Sequence, residues 1–110
     1  MAERKTDVIK GTVDLLILQV LQREDLHGWG IAKRIQQSSR DVLQINQGSL
    51  YPALYRLLER GWLKARLGES AEGRPVKIYA LTSAGKKQLN SERATWEELS
   101  SAVNLVLSTG

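Results

Sequence analysis

The sequence predicts a mainly α-helical protein with one small β-hairpin and a long C-terminal helix, and three observations carry that expectation. Apolar residues recur at helical spacing in three separate stretches before Gly61. Two β-prone runs then flank a polar segment, Gly68 to Pro75, rich in turn residues. Beyond Thr82 a seven-residue apolar repeat runs almost to the end. A length of 110 residues suits one compact unit with a single core.

From Thr12, the residues Val13, Leu15, Leu16, Ile17, Leu18, Val20 and Leu21 predict a helix buried around most of its circumference, with Gly11 and Thr12 at its start. The turn signal His27-Gly28 follows. Ile31, Ala32 and Ile35 then predict a short amphipathic helix ending near Ser38-Ser39, with Lys33, Arg34, Gln36 and Gln37 on its outer face.

Val42, Leu43 and Ile45 read as a brief extended stretch, a short strand ahead of a third helix whose apolar stripe is Leu50, Leu54, Leu57 and Leu58. Proline has no N–H, so Pro52 belongs in the first turn of that helix. Ser49 is then the expected N-cap, with Asn46 capping an irregular lead-in. Gly61 stands where a left-handed cap closes the helix.

Trp62, Leu63, Ala65 and Leu67, followed by Val76, Ile78, Tyr79 and Leu81, predict a hairpin with a long loop. Thr82 caps the terminal helix, in which Gly85 reads as a tolerated small residue. Leu89, Trp96 and Val103 repeat every seven residues, and Leu99 and Val106 form a second row. No later segment covers this seam, so a second subunit is expected to, making Leu89, Trp96, Leu99, Val103 and Val106 the dimerisation residues of a homodimer. A terminal helix folded back on its own domain is the competing arrangement.

The order of three helices, two strands and a helix is the layout of a winged helix-turn-helix. The expected division is residues 1–82 as that unit and 83–110 as the dimerisation helix, together one compact whole.

Composition narrows the function. Without cysteine there are no disulfides, thiolate nucleophiles or Cys-based zinc sites, and the lone His27 makes a turn or hydrogen-bonding role the expected one, with no metal. Neither a phosphate-binding glycine loop nor a recognisable carboxylate pair is present, so no enzymatic activity and no cofactor are expected. The longest apolar stretch, Val13 to Leu21, is too short and too interrupted to span a membrane, and no export signal is evident, so the expected location is the cytoplasm.

Charge is unevenly placed. Residues 33–77 hold nine basic and four acidic side chains, whereas residues 1–32 hold four and five and residues 78–110 three and three. A basic middle between near-neutral ends is the electrostatic footprint of a polyanion-binding face.

Five segments in order carry a resemblance: Leu15-Leu16-Ile17-Leu18, His27-Gly28-Trp29-Gly30-Ile31, Gly48-Ser49-Leu50-Tyr51-Pro52-Ala53-Leu54, Gly61-Trp62-Leu63, and Tyr79-Ala80-Leu81-Thr82-Ser83-Ala84-Gly85. With them the chain, from Gly11 to about Leu107, resembles the PadR family of bacterial transcriptional regulators in its short form with a single C-terminal helix. Trp29 stands where that family usually has tyrosine, and the wing Glu72-Gly73-Arg74-Pro75 is less basic than many.

The resemblance implies double-stranded DNA as partner and, as the family's usual direction, repression from a pseudo-palindromic operator. In a helix-turn-helix the second helix enters the major groove. Gln47, Ser49 and Tyr51 stand at its start, Tyr55 and Arg56 follow, and by resemblance Ser49, Tyr51 and Pro52 belong to the signature at the DNA face. Packing against the wing, as a lid on the core, is the competing role of Tyr51 and of Tyr55. Lys33, Arg34, Lys64, Arg66, Arg74 and Lys77 are expected to flank the groove and meet phosphates, a solvated charged face being the alternative for each.

In short members that sense aromatic drugs, a tryptophan at the place of Trp96 stacks on a flat ligand near the dyad. Trp96 is therefore the candidate site for a small aromatic effector, with ordinary packing as its other role. The competing function is that of a winged-helix protein-interaction module without DNA contact, since fold does not dictate function.

Overall fold

The computed structural model describes residues 12–109, so Gly11 lies outside the described residues. Helix α1 is Val13–Arg23, strand β1 Leu26–His27, α2 Gly28–Ser38, α3 Gln47–Glu59, β2 Leu63–Glu69, β3 Pro75–Leu81 and α4 Ser83–Ser108. The strands form one antiparallel sheet in the order β1-β3-β2.

Every helix contributes to one core. Ile17 and Leu18 of α1, Ile31 of α2, Leu50, Leu54 and Leu57 of α3 and Leu89 of α4 are all fully buried. Each such side chain contributes about 1.5–3 kcal/mol over leaving it in water. Leu63 and Tyr79 bring the root of the hairpin onto the same cluster.

The short strand lies elsewhere than the sequence predicts. Residues 42–46 form no strand, and Leu26–His27 instead pairs with β3 through Leu26↔Tyr79 and His27↔Ile78. A two-residue strand is too short for alternation to show, and here it exists because β3 offers a free edge.

The start of α3 also differs. Asn46, not Ser49, is the N-cap: its Oδ1 accepts from the Ser49 N–H at 2.9 Å. Pro52 therefore falls in the second turn, where the Gly48 carbonyl finds no N–H four residues on. Gly48 is at the surface, open to water.

The end of α3 matches expectation. Gly61 has φ +76°, its N–H donates to the Leu58 carbonyl, and the Trp62 N–H donates to the Leu57 carbonyl at 3.1 Å. That pair of bonds closes the helix around a left-handed glycine.

The hairpin is longer and its loop shorter than predicted. Pairing extends from Leu63↔Leu81 to Glu69↔Pro75, leaving only 70–74 as the tip. Thr82 caps α4 as expected, its Oγ1 accepting from the Gly85 N–H at 3.0 Å. Gly85 is not merely tolerated, because a Cβ there would overlap the Trp62 carbonyl oxygen.

Leu89 must be removed from the expected dimer seam. It lies wholly within its own subunit's core, packed from the near half of α4. The exposed part of the seam begins at Trp96 and continues through Leu99, Val103 and Val106. Among the described residues no helix is long and apolar enough to cross a membrane.

Candidate nucleic-acid interface

Helices α2 and α3 are joined by a tight connection that starts with Arg40 and Asp41, both at positive φ, 53° and 68°. Non-glycine residues enter that region at a cost, and local bonds hold them there. Asp41 donates its N–H to the Gln36 carbonyl at 2.9 Å and accepts from Gln36 Nε2 at 3.2 Å. Ser39 Oγ accepts from the Leu43 N–H at 2.9 Å. These contacts set how α3 leaves α2, and so how its start is presented.

Along α3 the buried residues Leu50, Ala53, Leu54 and Leu57 face the core. The opposite side exposes Gln47, Tyr51 and Tyr55, four residues apart and therefore stacked along one edge. Pro52 is exposed beside them, and Ser49 is half-buried with its N–H held by Asn46. No carboxylate stands on α3 before Glu59.

Tyr51 packs within the domain and still presents part of its surface to solvent. Its phenol lies against Gly28, where a Cβ would come within 2.7 Å of the phenolic oxygen, yet 44% of the residue is exposed. Gly28 thus lets the start of α2 approach α3, with the Tyr51 phenol between them. Tyr55 is more open, at 65% exposed.

The basic residues divide into two groups. Arg34 pairs with Glu24 at 2.6 Å, Arg56 with Asp14 at 2.6 Å and Arg66 with Asp25 at 2.8 Å. Arg56, expected at the DNA face, is partly exposed, and its guanidinium turns toward α1 to pair with Asp14 across the two helices. Arg34 and Arg66 likewise each hold a carboxylate from the turn between α1 and β1. Each pair is partly exposed and contributes about 0.2–1 kcal/mol.

Lys33, Lys64, Arg74 and Lys77 form no ion pair among the described residues. On the wing the register separates them. Arg66 is opposite Ile78 and Lys64 opposite Ala80, on one face of the hairpin, while Lys77 is opposite Leu67 on the other. Lys77 shares its face with Tyr79. The Tyr79 phenol is held above its ordinary range, first by burial and then by the Tyr51 phenol.

One residue goes unnoticed among the sequence-derived contacts. Trp29, legible in the sequence only as an aromatic exchange, is 59% exposed in the first turn of α2. The Lys33 ammonium sits over its ring, 4.7 Å from the centroid. His27, whose Nδ1 accepts from the Gly30 N–H at 3.3 Å and caps α2, meets it edge-on with centroids 6.4 Å apart. Lysine four residues after an aromatic on one helix was the available signal.

On α4, Trp96 lies beside a groove of about 510 Å3 against α1, lined by Thr12, Leu15, Gln88, Thr95 and Leu99 among others. Leu15 and Leu16 line a second, smaller groove of about 330 Å3 that Trp96 also borders. Groups of three or more metal-ligating side chains are absent among the described residues.

The fold and this surface define a winged helix-turn-helix regulator. The family model described as the transcriptional regulator PadR-like family matches residues 17–91. A transcriptional regulator of Mycobacterium tuberculosis is 33% identical over 94 residues, covering 86% of this chain and 84% of that protein. A transcriptional regulator from Clostridium thermocellum superposes with TM-score 0.80 at 32% identity, over 89% of this chain and 95% of that one. A PadR family regulator from Eggerthella lenta does so with TM-score 0.82 at 27% identity, over 99% and 93%. The chain belongs to the PadR-like family of transcriptional regulators.

Proposed function

We propose that this protein binds double-stranded DNA in the cytoplasm as a homodimer and represses transcription from a pseudo-palindromic operator. The observation that carries the reading is the exposed edge of α3, where Gln47, Tyr51 and Tyr55 stand in a row free of carboxylates. Amide and phenol groups there would meet base edges and phosphates in a major groove. Ser49 and Pro52 would border that contact, and Lys33, Lys64, Arg74 and Lys77 would neutralise phosphates around it. Arg34 and Arg66 would do so only by sharing or leaving their carboxylates.

Residues 83–110 serve, in this reading, as the dimerisation helix of the winged unit 1–82. The exposed apolar row Trp96, Leu99, Val103 and Val106 favours a partner, because four such side chains on one helix face gain most from burial against another subunit. A dimer so formed would offer its two recognition helices to half-sites about one DNA turn apart. An aromatic effector stacked on Trp96 would change their separation and release the operator. The groove beside Trp96 has the size of a small-molecule site, and α1 of a partner would border it.

Footprinting on a fragment carrying the gene's own upstream region tests this reading. Two protected half-sites related by a dyad are expected. Absence of protection, with the protein folded, would favour a protein-interaction module instead.

A further inference from the structure

We propose that Trp29 is a DNA-backbone contact that also positions Lys33, the two forming a phosphate clamp between the recognition helix and the wing. The inference rests on the DNA-binding reading above and adds to it a residue and a geometry.

Trp29 is an unusual place for an indole. At 59% exposed it adds little to the core, and its N–H makes no hydrogen bond among the described residues. Yet the ring is held on two sides. His27, itself tied to the first turn of α2 through the Gly30 N–H, braces it edge-on, and Lys33 lies across one face. A long lysine otherwise free to sample many rotamers is thereby aimed before any ligand arrives.

Its position between two grooves decides what it meets. On one side Trp29 and Lys33 line a groove of about 550 Å3 between α2 and α3, together with Gln36, Asn46, Gln47 and Tyr51. Lys33 is the charged residue of that lining, and no carboxylate belongs to it. On the other side Trp29 borders a groove of about 490 Å3 beneath the wing, where Glu69 and Glu72 stand with Arg74. A strand that runs from the start of α3 to the wing passes Trp29. A phosphate on it is drawn to the Lys33 ammonium on the α3 side and turned away from the two glutamates, and the Trp29 indole N–H is a further donor at the same place.

Because phosphate carries no sequence information, the clamp strengthens operator and unrelated DNA alike. The test is a titration of an upstream-region duplex and a random duplex, each at several salt concentrations. Trp29→Ala and Lys33→Ala are each expected to weaken both duplexes about tenfold and to lower the salt slope by about one. The double variant should be little weaker than either single one, since one clamp is lost in each case. Trp29→Tyr, which keeps an aromatic face and a donor, should retain most of the affinity, and the share of the tryptophan fluorescence change on DNA binding that comes from Trp29 should disappear in it.

Wild-type slope and affinity in a folded Trp29→Ala protein would overturn the proposal, as would single losses that multiply to about a hundredfold in the double variant. Should Trp29→Ala fail to fold, Trp29→Gln replaces it, with the same two outcomes. A wild-type protein that binds neither duplex overturns the DNA-binding reading and this inference together. If wild type binds, Tyr51→Phe weakens it and Trp29→Ala does not, the inference alone falls.

Discussion

Gly85, in the first turn of α4, lies directly against the main-chain carbonyl of Trp62, so that even one methyl group there would collide with the oxygen. The same carbonyl accepts from the Thr82 N–H at 3.1 Å, and Thr82 Oγ1 donates to the Gly61 carbonyl at 2.7 Å. The end of α3 and the start of α4 are thus fastened at one point. Through it, the position of α4 and the aim of α3 are mechanically linked.

Gly85→Ala should therefore destabilise despite alanine's better helix propensity. Backbone cannot move aside as a side-chain tip can, and overpacking of this kind costs about 1–3 kcal/mol. Urea unfolding followed by circular dichroism measures it. An unchanged or raised midpoint would mean that α4 shifts freely.

Gly61→Ala tests the other half of the junction. At φ +76° an alanine is strained, at a cost of about 1–2 kcal/mol, whereas a surface Gly→Ala exchange at ordinary φ would stabilise. Thermal unfolding distinguishes the signs, and stabilisation would refute the left-handed closure.

Tyr79 makes stability depend on pH at the alkaline end. Burial, and then the Tyr51 phenol, hold its pKa above the ordinary 10.0, so the folded state keeps the proton longer than the unfolded chain. This contribution is fully present below pH 10.0 and is lost as pH rises through the folded value. Tyr79→Phe should unfold less readily than wild type as pH is raised beyond that point. Parallel alkaline profiles for the two proteins would contradict the assignment.

The contrast between Leu89 and Val103 tests the division of α4. Leu89 is fully buried, and Leu89→Ala should cost about 2–5 kcal/mol of stability. Val103 is 48% exposed, and Val103→Asp should leave the fold intact while abolishing the proposed dimer. Analytical ultracentrifugation reads the difference, and an unchanged mass for Val103→Asp would place the subunit contact elsewhere.

Legibility in the sequence followed the range of the forces involved. Helical periodicity marked α1, α3 and the apolar row of α4, and local turn chemistry marked Gly61 and Thr82. The Asn46 cap was misplaced because Pro52 tolerates a second-turn position when the carbonyl it leaves unpaired is at the surface. What depends on distant pairing could not be read. β1 exists only against β3, Gly85 is required only by Trp62, and Arg56 meets Asp14 from 42 residues away. Leu89 shares the heptad of Trp96, but periodicity alone does not say which residues of one stripe meet their own domain and which remain uncovered. At the candidate interface, the residue types, the α3 edge and the four-residue spacing of Trp29 and Lys33 on one helix were legible, whereas the pairing of three arginines was set by tertiary placement.

The most direct measurement is a mobility shift of the purified protein on its own upstream region, across several salt concentrations and with excess unrelated DNA, comparing wild type with Tyr51→Phe. A discrete complex that survives competitor is expected, with a log-log salt slope of roughly −0.9 per neutralised phosphate and a weaker complex for the variant. A folded protein that forms no complex even at low salt, or one that binds equally well without the Tyr51 hydroxyl and yields to any competitor, would contradict the proposed function.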